Sequence, residues 1–331
     1  TQGLSEKVYL CLDAPTEEEH ASDQLRIIRG LEEKGYRNVR LSLEALREIY
    51  PLCRDAGWKI TATLIHKGGE NLVISLEKGD GTDCHYGLAV DYGSTTIVMQ
   101  VVDMNSGKVL AQESAINGQT ACGADILTRI TYGMESTEHK RELLQVTAKT
   151  FCVLLEGLAE KTGIRTKECP VMVISGNTTM VHFLLELDAW TVFSSPYAPV
   201  TTEPGFFRGK DLGLDFSGEV FFMPGISNYV GGDIVSGLLL MDFYKKDETG
   251  LFFDIGTNGE LVIGNREWLL AGAGAAGPAL EGDISRYGIR ACPGAIDTVR
   301  IEGEELTFTT IGGKKPVGIC GSGIIDLLAQ M

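Results

Sequence analysis

The chain has 331 residues, of which 44% are hydrophobic and 22% are charged, and its formal net charge is −16. This composition is typical of a globular protein of two or three domains, and the acidity argues against nucleic acid as a partner, because that binding needs clustered Lys and Arg. No run of about 18 apolar residues occurs, so the sequence predicts no membrane span, and the acidity also argues against an anionic membrane surface as a partner. The eight cysteines are scattered, which is typical of reduced thiols in a cytoplasmic protein.

The first part of the chain, residues 1–85, predicts a small α+β domain. A strand at KVYLCL precedes a helix at DQLRIIRGLEEKG and a second helix at SLEALREIYPLCRDAG, in which Pro51 predicts a bend or an end. The segment KITATLIHKGGENLVISLEKG predicts a hairpin around its Gly-Gly pair. The polar, glycine-rich segment EKGDGTDCHYG then predicts a domain boundary near 80–86.

The remainder, residues 86–331, predicts alternating strands and helices with one repeated layout. LAVDYGSTTIVMQVV and LFFDIGTNGELVIG each consist of an apolar strand, an Asp, a tight glycine loop with small polar residues, and a second strand. Asp91 corresponds to Asp254, and the two copies are separated by domain spacing rather than by the period of a repeat protein. A single Asp-x-Gly turn is common in hairpins, whereas two such loops predict a shared site.

Phosphate binding explains the residue types of the two loops. A phosphate chain needs converging backbone N–H donors, which a tight turn presents when no Cβ stands in the way. A carboxylate at each strand end can hold Mg²⁺ directly or through its water shell, which makes Asp91 and Asp254 the candidate metal ligands. The candidate nucleotide-binding residues are Gly93, Ser94, Thr95 and Thr96 in the first loop and Gly256, Thr257, Asn258 and Gly259 in the second.

The loops VDYGSTT and FDIGTNGE resemble the first and second phosphate loops of the actin-like ATPases, which include actin, sugar kinases and heat-shock chaperone ATPases. This resemblance implies an α/β fold with two RNase H-like lobes that grip Mg-ATP, with Asp91, Asp254 and Asp233 as catalytic residues. The superfamily has a connecting helix with an acid near the γ-phosphate, and VGGDIVSG stands at that place. Asp233 is therefore our candidate for orienting the attacking water, Asp125 in CGADIL is the second choice, and the alternative for Asp233 is a helix cap.

Several further motifs resemble the reductive activators of corrinoid proteins: NGQTACGADILTRI, VISGNTTMVHFLL, AAGPALEG and GICGSGIIDLL. The resemblance implies a middle domain at 1–85 and most of an actin-like ATPase domain at 86–331, shortened at its C-terminus. It also implies an N-terminal [2Fe-2S] domain. The eight cysteines show no CxxC or CxxxxCxxC spacing, so we expect no cluster in this chain and a [2Fe-2S] centre only in a domain that it lacks. The chain starts without Met and stops inside a predicted helix, which predicts a fragment.

Two glycine-rich segments add candidate nucleotide contacts. Gly277 and Glu281 belong to AAGPALEG, and Gly321, Ser322 and Gly323 open a predicted helix that can aim N–H groups at an anion. The literal GxGxxG that ends at Gly277 is followed by Pro278, which is unfavourable for the helix that a dinucleotide site requires.

The resemblance favours an ATP-driven enzyme that reduces Co(II) to Co(I) on a corrinoid protein, with ATP and Mg²⁺ as cofactors. Two alternatives remain on the same fold. One is a small-molecule kinase, which needs an acceptor pocket with a base. The other is a non-catalytic scaffold that binds nucleotide without turnover. The sequence leaves the electron donor, the identity of the corrinoid partner and the oligomeric state open, including a homodimer.

Overall fold

The computed structural model describes residues 3–255, 259–274, 285–303 and 305–331, and the chain divides into two compact units, Thr1–Ser236 and Gly237–Met331. The helices within the described residues are α1 Asp23–Glu33, α2 Leu43–Asp55, α3 Ile126–Glu135, α4 Thr137–Thr162, α5 Thr178–Leu184, α6 Trp190–Phe193, α7 Gly232–Leu240 and α8 Gly321–Gln330. None of these described helices is long and apolar enough to cross a membrane.

The strands alternate with these helices along the chain. Those within the described residues are β1 Ser5–Cys11, β2 Val39–Leu41, β3 Lys59–Lys67, β4 Glu70–Lys78, β5 Tyr86–Tyr92, β6 Thr96–Asp103, β7 Lys108–Ile116, β8 Val171–Gly176, β9 Gly205–Arg208, β10 Glu219–Phe222, β11 Gly250–Ile255, β12 Gly259–Gly264, β13 Leu269–Gly274, β14 Ala295–Glu302, β15 Glu305–Thr310 and β16 Gly318–Ile319. The mixture of helices and strands agrees with the predicted α/β class.

The small N-terminal sheet has the strand order β1-β3-β4-β2, and α1 and α2 pack with it around a core that contains Leu10, Ile27 and Leu31. Its β3–β4 hairpin is the one predicted from the Gly-Gly pair. Helix α2 continues to Asp55, so the prediction that Pro51 could end this helix is wrong. Pro51 is exposed, so water can bind the carbonyl that loses its N–H partner.

A six-stranded mixed sheet follows in the same unit, with the order β7-β6-β5-β8-β10-β9. Its central strands β5, β8 and β10 run parallel, whereas β6, β7 and β9 join by antiparallel pairing. Side chains of β5 alternate: Val90 and Tyr92 are buried in the core with Phe151 of α4, and Asp91 between them is exposed. The sheet therefore presents Asp91 to solvent at the carboxyl end of a central strand.

Polar contacts join the small sheet to the six-stranded sheet. Lys67 Nζ donates to Oε2 of the buried Glu219 at 2.7 Å, and Arg208 Nη2 donates to Glu44 Oε1 at 2.6 Å. A third contact, between Ser5 Oγ and His85 Nε2 at 3.0 Å, is buried. These contacts join the small N-terminal domain to the six-stranded sheet and to the residue that precedes it, within the first compact unit.

The buried His85 gives the first unit a predictable acid sensitivity. Burial, and then the positive charge of Lys7, lower the pKa of His85 to about 4. The unfolded chain binds this proton near pH 6.5 and the folded chain does not, so the free energy of unfolding falls as the pH drops below 6.5. Between pH 7.5 and 5.0 we expect a loss of about 2 kcal/mol from this group.

Urea unfolding of the wild type and of His85→Gln at both pH values measures this effect. The wild type should lose about 2 kcal/mol more than the variant over that range. Titration of all other groups is common to both proteins and cancels in the comparison. Equal losses in the two proteins would contradict the assignment.

The second unit contains two three-stranded sheets, with the orders β11-β12-β13 and β15-β14-β16. Strands β11 and β12 form an antiparallel hairpin, which is the predicted second copy of the strand–loop–strand layout. Phe252 of β11 lies against Gly237 of α7, where a Cβ would come within 2.5 Å of the Phe252 ring. Helix α8 packs on β14.

Candidate active site

The carboxyl ends of β5, β8 and β10 meet at one edge of the six-stranded sheet. Asp91 of β5 pairs with Ser175 of β8, and Phe222 of β10 pairs with Ile174 of β8. In open α/β sheets, ligands bind in the crevice outside the carboxyl ends of the strands. The exposed carboxylate of Asp91 therefore lies where this class of fold binds its ligands.

The first predicted loop connects β5 to β6 as a tight hairpin. Asp91 pairs with Val98 and Tyr92 pairs with Ile97, so the chain reverses within a few residues. Gly93 is required there, because a Cβ at this position would clash with the carbonyl oxygen of Thr96. The structure thus brings five predicted site residues together in this turn, at the carboxyl end of β5: Asp91, Gly93, Ser94, Thr95 and Thr96.

Two residues that the sequence analysis did not assign hold this loop in place. Asn117 donates through Nδ2 to the Gly93 carbonyl at 2.9 Å and through its backbone N–H to the Thr95 carbonyl at 2.8 Å. Arg129 donates through Nη1 to the Ser94 carbonyl at 2.7 Å. Both belong to the motif NGQTACGADILTRI, but only the folded chain shows that they contact the loop.

The N-terminus of α7 lies at the same edge, beside the turn from β8 to α5. A Cβ on Gly231 would clash with the carbonyl of Gly176 and would come within 2.7 Å of Cα of Asn177. Ser236, one turn into α7, has its Oγ 2.7 Å from Oγ of Ser175. This close approach depends on glycine at 231, and it brings Asp233 to the sheet edge that also carries Asp91.

The two candidate acids for water orientation have different local roles. Asp125 is the N-cap of α3: its Oδ1 accepts from the Thr128 N–H at 2.8 Å and its Oδ2 from the Thr128 hydroxyl at 3.0 Å. These bonds lower the pKa of the Asp125 carboxyl. Asp233 lies in the first turn of α7, and its Oδ1 accepts from the next N–H, that of Ile234, at 2.9 Å. Both carboxylate oxygens of Asp125 are therefore occupied by hydrogen bonds at the start of α3.

The second predicted loop has the same pairing pattern as the first. Asp254 pairs with Glu260, and Ile255 pairs with Gly259 in the last pair of the hairpin, just as Asp91 precedes the last pair of its own hairpin. Asp254 is half-buried at the end of β11. The loop residues between the paired ends, Gly256, Thr257 and Asn258, lie outside the described residues, as do the candidates Gly277 and Glu281.

Gly321, Ser322 and Gly323 open α8, as predicted. A Cβ on Gly323 would clash with the carbonyl of Ile296 in β14, so packing alone requires this glycine. The Cys320 thiol also donates to the Ile296 carbonyl, at 3.2 Å. Contact between these residues and a nucleotide stays a prediction.

The chemistry of the edge fits Mg²⁺ with a polyphosphate. Magnesium keeps several waters and is usually held by one or two carboxylates together with phosphate oxygens. An exposed carboxylate at a strand end, next to a turn whose glycine leaves the backbone accessible, meets that need at Asp91. Within the described residues, no group of three or more His, Cys, Asp and Glu side chains is placed to hold a metal ion by itself.

Comparison with known families matches three regions of one protein type along almost the whole chain. Residues 3–83 match the RACo linker region, residues 86–246 match the RACo middle region, and residues 248–331 match the C-terminal domain of RACo, the ASKHA domain. The region predicted from sequence as a middle domain, residues 1–85, thus corresponds to the RACo linker region, and the RACo middle region begins at residue 86.

Individual relatives agree with this match. The chain is 36% identical over 248 residues to the corrinoid activation enzyme RamQ of Eubacterium limosum, across 74% of this chain and 42% of that protein. It is 29% identical over 272 residues to the [Co(II) methylated amine-specific corrinoid protein] reductase of Methanosarcina barkeri, across 74% of this chain and 50% of that protein.

A solved structure, a reductive activator for a corrinoid, iron–sulfur protein, superposes with a TM-score of 0.89 and 37% identity, across 99% of this chain and 53% of that chain. The chain thus spans about half the length of the relatives it matches. The predicted actin-like α/β fold, preceded by a small domain, is confirmed. The chain belongs to the RACo family, whose linker, middle and C-terminal ASKHA regions it matches in order.

Proposed function

We propose that the full-length protein uses Mg-ATP to drive the reduction of a corrinoid cofactor on a partner protein from Co(II) to Co(I). The observation that supports this most is the glycine hairpin after Asp91, which lies at the sheet edge that Asp233 also reaches. The names of the relatives, a corrinoid activation enzyme and a corrinoid protein reductase, support the same function. Reduction to Co(I) is uphill for biological electron donors, so coupling to ATP supplies the missing driving force.

Each candidate residue has a proposed task. The backbone of Gly93, Ser94 and Thr95 binds the phosphate chain, and the carboxylates of Asp91 and Asp254 hold Mg²⁺ directly or through water. Bound Mg²⁺ neutralises the charge that develops on the phosphates during transfer. Asp233 orients the water that attacks the γ-phosphate, so that ATP and water become ADP and phosphate.

The electron follows a separate route from the hydrolysis. One electron leaves a reduced donor and converts Co(II) to Co(I), with no atom transferred. The cysteines of this chain are spread from Cys11 to Cys320 and form no local cluster spacing. We propose that the donor is a [2Fe-2S] centre in a part of the full-length protein outside this chain, which spans about half the length of its relatives. Opening and closing around ATP then gates the contact between donor and corrinoid partner.

The response of ATP hydrolysis to added partners tests the proposal. We expect the rate of the full-length protein to change when a Co(II) corrinoid protein is added and to stay constant with sugars or small organic acids. Phosphate release, measured with each addition and with corrinoid-free partner as the control, gives the answer. A rate that rises only with a sugar or acid would indicate a kinase, and binding of ATP without turnover under all conditions would indicate a scaffold.

A further inference from the structure

Three consecutive carbonyls of the first loop are bound from the protein side. Those of Gly93 and Thr95 accept from Asn117, at 2.9 Å and 2.8 Å, and the Ser94 carbonyl accepts from Arg129 at 2.7 Å. The Asn117 side chain lies 24 residues after Gly93, and the Arg129 side chain lies 35 residues after Ser94. These hydrogen bonds are therefore tertiary contacts and not part of the hairpin itself.

Peptide geometry converts this anchoring into a direction for the N–H groups. In a planar trans peptide, the C=O of one residue and the N–H of the next point in opposite directions. With the carbonyls of Gly93, Ser94 and Thr95 facing inward, the N–H groups of the three following residues face away from Asn117 and Arg129. Within the described part of the chain, the Ser94 and Thr95 N–H groups donate to no protein acceptor. Converging N–H groups of this kind bind anions.

Arg129 is the unusual member of this arrangement, because its side chain is fully buried. Besides Ser94, it donates through Nε to the Gly123 carbonyl at 2.9 Å, and its Nη1 is 3.9 Å from Sδ of Met180 in α5. Burial lowers the pKa of its guanidinium from the usual value. The Asp125 carboxylate attracts its charge, but both oxygens of Asp125 accept hydrogen bonds from Thr128. The positive charge of Arg129 therefore also favours an anion on the outer side of the loop.

We propose that Arg129 and Asn117 are positioning residues that fix the first loop with its N–H groups outward, ready for the phosphate chain of a nucleotide. This proposal rests on the proposed function for the identity of the anion as a nucleoside polyphosphate. Neither residue touches the ligand: each acts through the carbonyl that it holds. Their contribution should therefore grow with the number of phosphates and should be absent for a ligand that does not reach the loop.

Affinity for three ligands separates positioning from general stability. In the full-length protein, Arg129→Lys keeps the charge but loses the fixed fork of donors, and Asn117→Ala removes only the side-chain bond to Gly93 and the local cap on Gln119. We expect each to weaken binding of ATP and of inorganic tripolyphosphate by roughly tenfold, the worth of about one hydrogen bond to a charged group, and to change AMP affinity less than twofold.

Arg26→Lys is the matched control, because Arg26 is also buried and also donates to backbone carbonyls, those of Asp13 and Glu19, but lies in the small N-terminal sheet region. It should leave all three affinities unchanged. Hydrogen exchange of residues 93–96 adds a measurement that needs no variant. The Ser94 and Thr95 amides should exchange rapidly in the free protein and slow on addition of tripolyphosphate.

Two results would overturn the proposal: equal losses of ATP and AMP affinity in the variants, or wild-type affinity for ATP and tripolyphosphate in both. Its failure is distinguishable from failure of the proposed function. Corrinoid-dependent turnover with no effect of Arg129→Lys or Asn117→Ala leaves the function standing and rejects the positioning role. If the variants selectively lose tripolyphosphate binding but ATP turnover does not respond to the corrinoid partner, the positioning role stands and the proposed function is rejected.

Discussion

Asp91→Asn and Asp254→Asn should each abolish ATP turnover in the full-length protein while leaving the fold intact. Phosphoryl transfer depends mainly on positioning and on charge stabilisation through Mg²⁺. Asn keeps the size of Asp and part of its hydrogen bonding but removes the negative charge, so placement of the metal suffers most. Asp91 is exposed at its strand end and Asp254 is half-buried, so neither substitution opens a cavity in a core.

Phosphate release and nucleotide binding are measured for both variants, with melting temperature as the test of folding. Asp103→Asn is the matched control, because Asp103 ends β6 at the opposite edge of the same hairpin, where it binds Ser106 and Asn105 in a turn. It should keep wild-type turnover. Wild-type hydrolysis in both loop variants would reject the clamp of two aspartates around Mg²⁺.

Asp233→Asn should lower turnover by roughly 10²–10⁴-fold, the usual contribution of a positioned acid–base group, with nucleotide affinity near that of the wild type. The reason is that a water-orienting carboxylate acts on the attacking water and not on the bound phosphates. Asp233 lies in the first turn of α7, which packs through Gly231 against the turn after β8.

Asp125→Asn provides the comparison for Asp233, because Asn is as good an N-cap as Asp and preserves the start of α3. Single-turnover hydrolysis and equilibrium binding of both variants should show a large rate loss for Asp233→Asn and almost none for Asp125→Asn. Wild-type hydrolysis in the Asp233 variant would transfer the role to Asp125 or to a group outside the described residues.

The parts of the site that sequence could predict are those with a local signature. Asp91 and Gly93 stand in a short pattern between apolar strands, and the pattern recurs around Asp254, so residue types alone indicated two hairpins with an aspartate before the last pair. The Gly-Gly hairpin of β3 and β4 was predictable for the same reason. Turn chemistry is determined by neighbours in sequence, which a single chain displays directly.

The parts that sequence missed arise from contacts between distant residues. Arg129 stands in the first turns of a helix, and nothing local indicates that its guanidinium is buried beneath the loop at Ser94. Asn117 follows β7 and resembles any turn residue until the fold places it against Gly93. Pro51 shows the opposite case: a local rule predicted a bend or an end of the helix, and α2 continues to Asp55, with Pro51 exposed to solvent.

The coupling of ATP to cobalt reduction is tested most directly by the absorption spectrum of a corrinoid protein under anaerobic conditions. The full-length protein, a chemical reductant of the donor and Co(II) corrinoid protein are mixed with and without Mg-ATP, and Co(I) is recorded over time. Co(I) should form with Mg-ATP and the wild type, and it should fail to form without nucleotide or with Asp91→Asn. Formation of Co(I) at the same rate and yield without ATP would contradict this coupling.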